Sequence, residues 1–287
     1  RRQIGRVGPP SSHPARVAGD TLRPMSRGGP SLKKSFGQHH LVSGALCAPL
    51  VEFLEPEGAR VVEIGPGGGV LTAELLRCGA RVVAWEVDPD WAFPLRRRFA
   101  ADPLGIVVGD ALEIPWERLP AGTLVAGNLP YNVGTALIEG FLTRGLGVPR
   151  AGVLVQWEVA ERLVARPGDE AYGAMSVLVE VHAEATLLGQ VKKGSFRPPP
   201  KVDGGFVGFE RRPPPLPLAE LPAFFSMVRL AFGQRRKTLR NALSAGWGRD
   251  HADQVLAASG IDPRFRAEVL GLEELLGLYA AMRATPW

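Results

Sequence analysis

Cysteine is nearly absent from this chain. Only Cys47 and Cys78 occur among its 287 residues. Their spacing fits no zinc-binding pattern, and two cysteines cannot form the disulfide framework of a small secreted protein. We therefore expect a reducing, cytoplasmic setting in which both thiols have no chemical role.

Long apolar runs are missing as well. No stretch approaches the roughly 20 consecutive apolar residues that a membrane-spanning helix needs, and we expect neither a secretory signal nor a membrane partner. The composition, with 45% apolar and 22% charged residues, is that of a globular protein. The length suits one large domain and a smaller one.

Acidic residues are scarce in the N-terminal stretch. Residues 1–34 hold eight arginines and lysines against one acid, a net charge of +7; since the whole chain carries +5, the remainder sums to −2. Residues 1–30 are rich in glycine, proline and serine and show no apolar period, which predicts a disordered basic tail. One hypothesis is that the natural chain starts at Met25 and that the preceding stretch is an over-extended start.

From about residue 40, apolar segments of strand length alternate with helical periods. This pattern predicts an α/β fold with a parallel, Rossmann-like sheet covered on both faces. A proline-rich break at 211–222 precedes a part with helical periods only. We predict an α/β domain over 31–212 and a small helical C-terminal domain over 213–287. The predicted strands are ARVVEI, ARVVAWE, GIVVGD, TLVAGN, AGVLVQW and GFVGFE.

A glycine-rich turn follows the first of these strands. In EIGPGGGVLT, Gly65 and Gly67 remove side chains where a ligand must approach the backbone. Glu86 ends the next strand, where a carboxylate can accept hydrogen bonds from both ribose hydroxyls of a nucleoside. The spacing GxGxG is typical of S-adenosylmethionine enzymes, whereas a dinucleotide site prefers GxGxxG and would find Val70 at its third position. A purely structural turn is the alternative.

Asp110 ends the third strand segment, VVGDAL. Its carboxylate can accept a hydrogen bond from the exocyclic amine of adenine. Because ligands of open α/β sheets bind at the carboxyl ends of the strands, we expect Gly65, Glu86 and Asp110 on one rim. The alternative role of Asp110 is a helix N-cap, and both roles can hold together.

The stretch NLPY follows the fourth strand and so lies on the same rim. An adenine amine is a poor nucleophile because its lone pair is delocalised into the ring. The side-chain oxygen of Asn128 and a main-chain carbonyl of the Leu129–Pro130 turn can accept its two hydrogens and direct the lone pair at a methyl group. Pro130 stiffens the turn, and Tyr131 offers a flat surface to a base taken out of its stack. An Asx turn is the alternative, but it leaves Tyr131 unexplained.

Three further side chains are candidates. Phe196, in SFRPPPKVDGG, is predicted to face Tyr131 and sandwich the base, although taken alone it is more typical of a core residue. His39 and His40 are adjacent, as metal ligands can be, but no third ligand stands at a suitable spacing. We therefore predict no metal.

A basic cluster lies in RLAFGQRRKTLRNAL, in the C-terminal part. Arg235, Arg236, Lys237 and Arg240 are predicted to contact RNA phosphates. A solvated helix face is the alternative, and charge alone favours it.

These segments together resemble the bacterial 16S rRNA adenine-N6,N6-dimethyltransferases, the KsgA/RsmA family, over roughly residues 33–280. The resemblance implies methyl transfer from S-adenosylmethionine to two adjacent adenosines in the 3′-terminal hairpin of 16S rRNA during assembly of the small subunit. It implies a SAM-binding catalytic domain and, as partner, the immature 30S subunit; a monomer is our expectation. The matching segments are KKSFGQHHLVS, VEIGPGGGVLT, WEVD, VVGDAL, GNLPYN, QWEVAERLVARPGDEAYGAMSV, FRPPPKVD and AFGQRRKTLRN.

The resemblance also assigns residues. The base-stacking aromatics correspond to Tyr131 and Phe196. The family usually has QNFL where this chain has QHHL, so His39 replaces an asparagine that helps to hold the methionine end of the cofactor. An imidazole can still donate or accept a hydrogen bond. The implied cofactor-binding residues are Gln38, His39, Leu41, Gly65, Gly67, Glu86, Asp110 and Asn128.

Three alternatives remain open. The macrolide-resistance (Erm-like) 23S rRNA adenine methyltransferases share the catalytic stretches, but PPPKVD and QRRKTLRN favour the 16S enzymes. A ribosome-assembly or RNA-binding factor without catalysis is disfavoured by the intact GxGxG, Glu86, Asp110 and NLPY. A nicotinamide oxidoreductase has no use for NLPY.

Overall fold

The structure is a computed structural model, and it describes residues 39–286. The predictions for Gln38 and for the basic tail at 1–30 lie outside the described residues.

Strands and helices alternate through the first two thirds of the described chain. The strands are β1 (His40–Leu41), β2 (Arg60–Ile64), β3 (Arg81–Glu86), β4 (Leu104–Val108), β5 (Leu124–Asn128), β6 (Arg150–Gln156), β7 (Ala183–Val191), β8 (Phe196–Arg197) and β9 (Gly204–Arg211). The helices are α1 (Ala48–Leu54), α2 (Val70–Arg77), α3 (Pro89–Arg98), α4 (Gly134–Thr143), α5 (Trp157–Val164), α6 (Ala174–His182), α7 (Leu221–Phe232), α8 (Leu239–Trp247), α9 (Arg249–Ser259) and α10 (Leu272–Ala284).

The central sheet has seven strands in the order β4-β3-β2-β5-β6-β9-β7. The strands from β4 to β6 are parallel, which confirms the predicted α/β architecture on that side. The prediction of a parallel sheet does not hold at the other side, where β9 runs antiparallel to both β6 and β7. Parallel neighbours need a long crossover, usually an α-helix, and the described segment between β7 and β9 contains only a short 3-10 turn and β8.

Residues of the central strands alternate between two apolar layers. On β2, Val61 packs in the layer formed with α1 and α2, while its neighbour Val62 packs with α4 and α6. This period of two is expected for strands buried on both faces. A second, two-stranded sheet pairs β1 with β8 and places the start of the described chain beside the central sheet.

After β9 ends at Arg211, the described residues form helices and connecting segments only. Phe224 and Val228 of α7 belong to the same apolar cluster as Val125 of β5, so the core continues across the proline-rich segment. The division into domains at residue 212 therefore stays a prediction. Within residues 39–286, none of the helices combines the length and apolar character needed to cross a bilayer.

Candidate active site

Four neighbouring strands end at one cavity. Because β4, β3, β2 and β5 are adjacent and parallel, the residues that follow or end them meet at the carboxyl edge of the sheet. The cavity is lined by Gly65, Glu86, Asp110, Asn128 and Tyr131, among others. The structure thus brings together the residues that the sequence predicted on one rim.

The glycine turn after β2 has a backbone that few other residues adopt. Gly65 has φ 64° and Gly67 has φ 49°. A Cβ atom added to Gly67 would lie 2.7 Å from Cε1 of His40, so any side chain there would force the His40 ring to move. The turn therefore leaves its main chain open to the cavity on one side and packed against His40 on the other.

Glu86 is the buried acid of the rim, with 4% of its surface exposed. Its Oε2 accepts a hydrogen bond from the amide of Gly67 at 3.1 Å, and its Oε1 accepts one from the amide of Asp88 at 3.0 Å. Burial raises the pKa of this carboxyl, although the two amide bonds act in the opposite direction. Each carboxylate oxygen keeps a further lone pair, so Glu86 can still accept from the vicinal hydroxyls of a ribose.

Asp110 lies at the far end of the cavity from Asn128, across the width of three strands. Its Oδ1 accepts from the amide of Leu112 at 2.9 Å, which makes it the N-cap of a short 3-10 turn. The second oxygen is left for a ligand, so both roles considered for this residue are compatible with the geometry.

The side chain of Asn128 is oriented by a hydrogen bond to the main chain. Its Nδ2 donates to the carbonyl oxygen of His39 at 2.7 Å, so its Oδ1 is the atom left to accept. In the next turn, the carbonyl of Pro130 accepts from the amide of Gly134 at 2.9 Å. The carbonyl of Leu129 has no donor among the described residues, which makes it the available main-chain acceptor.

Tyr131 is half-buried, and its hydroxyl is buried without a hydrogen-bond partner among the described residues. Burial, followed by the charge of Asp203, raises the pKa of this phenol. The ring contacts the imidazole of His39, with centroids 5.4 Å apart and planes inclined by 32°. The Nδ1 of His39 also lies 2.8 Å from the carbonyl oxygen of Pro198.

Phe196 does not meet Tyr131. Its ring is fully buried, with 0% exposure, and belongs to the apolar layer that contains Leu41, its partner in the β1–β8 pair. It does not line the cavity. The predicted sandwich of Tyr131 and Phe196 is therefore absent from this structure, because burial in the core holds the Phe196 ring.

Leu41 is also a buried core residue and lines a smaller cavity behind the glycine turn. Glu63, which the sequence interpretation missed, lines the same small cavity at 1% exposure, and its Oε2 has no partner among the described residues. Burial, together with the charge of Glu86, raises the pKa of Glu63 to about 8. The sequence signal that could have identified Glu63 was its position, one residue before Ile64 and two before the glycine turn.

His40, which the sequence interpretation considered only as a metal ligand, has contacts at the glycine turn that were not predicted. Its Nδ1 accepts a hydrogen bond from the amide of Gly68 at 3.2 Å, and its ring meets Trp91 edge-on, with centroids 4.4 Å apart. Burial, with a smaller contribution from His39, lowers the pKa of His40 to about 4. No sequence signal indicated this role, because Gly68 and Trp91 lie far along the chain.

The basic cluster lies around the turn between α7 and α8, none of its four members lines the cavity, and their environments differ. Arg236 and Lys237 are exposed. Arg235 donates to the main-chain carbonyl of Glu170, and Arg240 forms a two-pronged ion pair with Asp253. Two of the four predicted RNA contacts are thus engaged within the protein.

A family profile described as "Ribosomal RNA adenine dimethylase" matches residues 29–282. A relative from Moorella thermoacetica, described as "Ribosomal RNA small subunit methyltransferase A", is 37% identical over 275 residues. The match covers 91% of this chain and 96% of the relative.

Two solved structures share the fold. A dimethyladenosine transferase from Plasmodium falciparum superposes with a TM-score of 0.71 at 22% identity, covering 83% of this chain and 96% of that chain. The 23S rRNA methyltransferase ErmE superposes with a TM-score of 0.66 at 27% identity, covering 85% of this chain and 99% of that chain. The first likeness concerns the fold alone.

Proposed function

Because the chain belongs to the ribosomal RNA adenine dimethylase family, we propose that it dimethylates the N6 amines of two adjacent adenosines in the 3′-terminal hairpin of 16S rRNA. The methyl donor is S-adenosylmethionine. The chain acts as a monomer, in the cytoplasm, on the immature 30S subunit. The description of its relatives as small subunit methyltransferases supports the choice of the small subunit.

The donor set of the cavity fits a nucleoside with an amino-acid substituent. Asp110 suits the adenine amine and Glu86 the ribose hydroxyls, and both line one cavity. The turn has glycines at Gly65 and Gly67, both with left-handed backbones, and at Gly67 a side chain would also collide with His40. When bound, S-adenosylmethionine supplies a methyl group made electrophilic by its sulfonium.

One observation carries the proposal: the amide of Asn128 is turned so that its oxygen is free. With Nδ2 engaged by His39, the Oδ1 of Asn128 and the carbonyl of Leu129 are two acceptors on residues that line the proposed cofactor cavity. Two acceptors on the two hydrogens of an adenine N6 hold the amine out of conjugation and leave its lone pair directed inward. Pre-oriented dipoles of this kind act without reorganisation during the reaction.

No charged base is needed at this site. Once methylated, the N6 nitrogen is cationic and loses a proton readily to water. The face of Tyr131 supplies a surface for the extruded base, and removal of the base from its stack costs a few kcal/mol. The His39 ring contacts Tyr131 in the structure. We propose that, when the base enters, this ring either moves off the face of Tyr131 or stays beside the base on it.

The proposal is tested with tritiated methyl donor and unmethylated 30S subunits. We expect label in 16S rRNA, and no label when Asn128 is replaced by alanine. Primer extension across 16S and 23S rRNA then locates the modification. Absence of incorporation by a folded wild-type protein that binds 30S subunits would instead favour an assembly factor without catalysis.

The 23S rRNA methyltransferases are the second candidate, because ErmE shares the fold at 27% identity. Label confined to 23S rRNA would establish that alternative. Label in 16S rRNA of immature subunits, with none in 23S rRNA, supports the proposed substrate.

A further inference from the structure

The main-chain donors of the glycine turn are already engaged within the protein. The amide of Gly65 donates to the carbonyl of Trp85 at 2.9 Å, and that of Gly69 donates to the carbonyl of Pro66 at 2.8 Å. The amide of Gly67 donates to Glu86 and that of Gly68 donates to His40. Pro66 has no amide hydrogen. A carboxylate brought to residues 65–69 would therefore find no free N–H on that backbone.

His40 carries a donor at this turn. Because the amide of Gly68 donates to Nδ1, that nitrogen has no proton, and the proton of the neutral ring resides on Nε2. The ring is neutral near pH 7, since burial first and His39 second lower the pKa of His40 to about 4. Nε2 has no hydrogen-bond partner among the described residues. It is also absent from the fully buried atoms that lack a partner, so part of its surface is accessible.

The position of His40 suits a contact with the amino-acid end of the ligand. It lines both the main cavity and the smaller one behind the turn. If Asp110 and Glu86 hold the nucleoside, the amino-acid end extends past them to the turn. Glu63 lines the smaller cavity, and the carbonyl oxygen of its protonated carboxyl can accept a hydrogen bond from the ammonium group, which leaves the carboxylate of the ligand to a donor. The nearby Arg98 binds the carbonyl of Gly68 and lines neither cavity.

We infer that the Nε2–H of His40 donates a hydrogen bond to the carboxylate of the methyl donor. His40 is thus a cofactor-binding residue within the QHHL sequence, at a position where the family usually has QNFL. Trp91 and Gly67 hold its ring in place, the first by an edge-on contact and the second by having no side chain. This inference rests on the proposed function, since it presumes S-adenosylmethionine as the ligand.

The test compares two ligands that differ by the carboxylate alone: S-adenosylmethionine and its decarboxylated analogue. Affinities are measured by calorimetry for the wild type and three variants. His40→Phe keeps a ring but has no nitrogen. His40→Gln places an amide nitrogen near Nε2, and His40→Asn places its amide oxygen near Nδ1 without a donor at Nε2.

We expect His40→Phe and His40→Asn to weaken binding of S-adenosylmethionine about tenfold or more, as loss of a hydrogen bond to a charged group does. Binding of the decarboxylated analogue should change less than about threefold, and His40→Gln should retain most of the preference for the carboxylate. Binding of the analogue also shows that a variant has kept its folded pocket.

Equal weakening of both ligands in His40→Phe would overturn the inference and reduce His40 to a packing residue of the turn. Unchanged binding of both ligands would overturn it too. Either outcome leaves the proposed function standing, because the wild type still binds the methyl donor. Failure of the wild type to bind S-adenosylmethionine would instead overturn the proposed function, and this inference with it.

Discussion

The Nδ2 atom of Asn128 lies 2.7 Å from the carbonyl oxygen of His39, and this hydrogen bond joins the end of β5 to the segment that leads into β1. The two residues are 89 positions apart in the sequence. The bond fixes which end of the amide faces the proposed substrate. A side chain of the same shape that cannot donate should therefore disturb the reaction more than the fold.

Asn128→Asp provides this side chain. A carboxylate cannot donate to the His39 carbonyl and repels it, so its acceptor oxygens lose their fixed direction. We expect the rate of methyl transfer to fall about 100-fold or more, as it does when one pre-oriented hydrogen-bonding group is removed from the active site of other enzymes. The melting temperature should stay close to that of the wild type. The measurement is single-turnover transfer of labelled methyl to unmethylated 30S subunits. Full activity of Asn128→Asp would contradict the assigned orientation.

Two substitutions should distinguish the contribution of the Tyr131 hydroxyl from that of its ring. Since the hydroxyl is buried without a partner among the described residues, Tyr131→Phe should leave both stability and methyl transfer nearly unchanged. Tyr131→Ala removes the proposed stacking surface and should cost about 1–3 kcal/mol of RNA binding. The KM for 30S subunits measures the difference, and a large loss of activity in Tyr131→Phe would show that the hydroxyl has a role.

Two glycines with left-handed backbones form a matched pair. Gly67 has φ 49° and no room for a Cβ, whereas Gly58 has φ 69° with no atom within 4 Å of that position. Alanine costs about 1–2 kcal/mol of backbone energy at either site, but only Gly67→Ala displaces His40. We expect Gly67→Ala to weaken S-adenosylmethionine binding about tenfold or more, and Gly58→Ala to leave it unchanged. Similar affinities in a calorimetric titration would contradict the role of the turn.

In the basic cluster, the exposed pair should account for the salt dependence of RNA binding. Arg236 and Lys237 are free to meet phosphates, and each contact contributes about 0.7 to the slope of log K against log salt for single-stranded RNA. Replacing both by alanine should reduce the slope by about 1.4. Arg240→Ala is the control, because its loss of the Asp253 ion pair should lower the melting temperature while changing the slope less. A slope that only Arg240→Ala changes would refute this assignment.

The sequence alone was sufficient to predict the strands on the parallel side of the central sheet. Its strands are short apolar runs ended by Gly65, Glu86, Gly109 and Asn128, and each run is recognisable without knowing its neighbour. The family predicted from these stretches is confirmed by the family match. β7 was not predicted, since only its first and last residues are buried and its polar interior gives no clear period. Its pairing with β9 depends on contacts between distant segments.

At the site, too, local sequence patterns could be interpreted, whereas contacts between distant segments could not. Residues that end a strand could be placed on the rim from local pattern alone, as with Glu86 and Asp110. The contacts of His40 could not be predicted, because its partners Gly68 and Trp91 come from a turn and a helix elsewhere in the chain. Likewise, the burial of Phe196 follows from the pairing of β8 with β1, which no periodicity indicates.

The buried carboxyl of Glu63 should make stability depend on pH. Burial raises its pKa to about 8 from an ordinary value of 4.5, so the folded protein binds a proton that the unfolded chain has already released. Its contribution to stability is complete below pH 4.5 and is lost as the pH rises through 8, with a slope of at most about 1.4 kcal/mol per pH unit. Glu63→Gln copies the protonated form and cannot ionise. From pH 6.5 to 8.5, the melting temperature of the wild type should fall more steeply than that of Glu63→Gln, and the titration of His40, which both proteins share, cancels in the comparison. Parallel melting curves over this range would mean that Glu63 is already ionised in the folded protein.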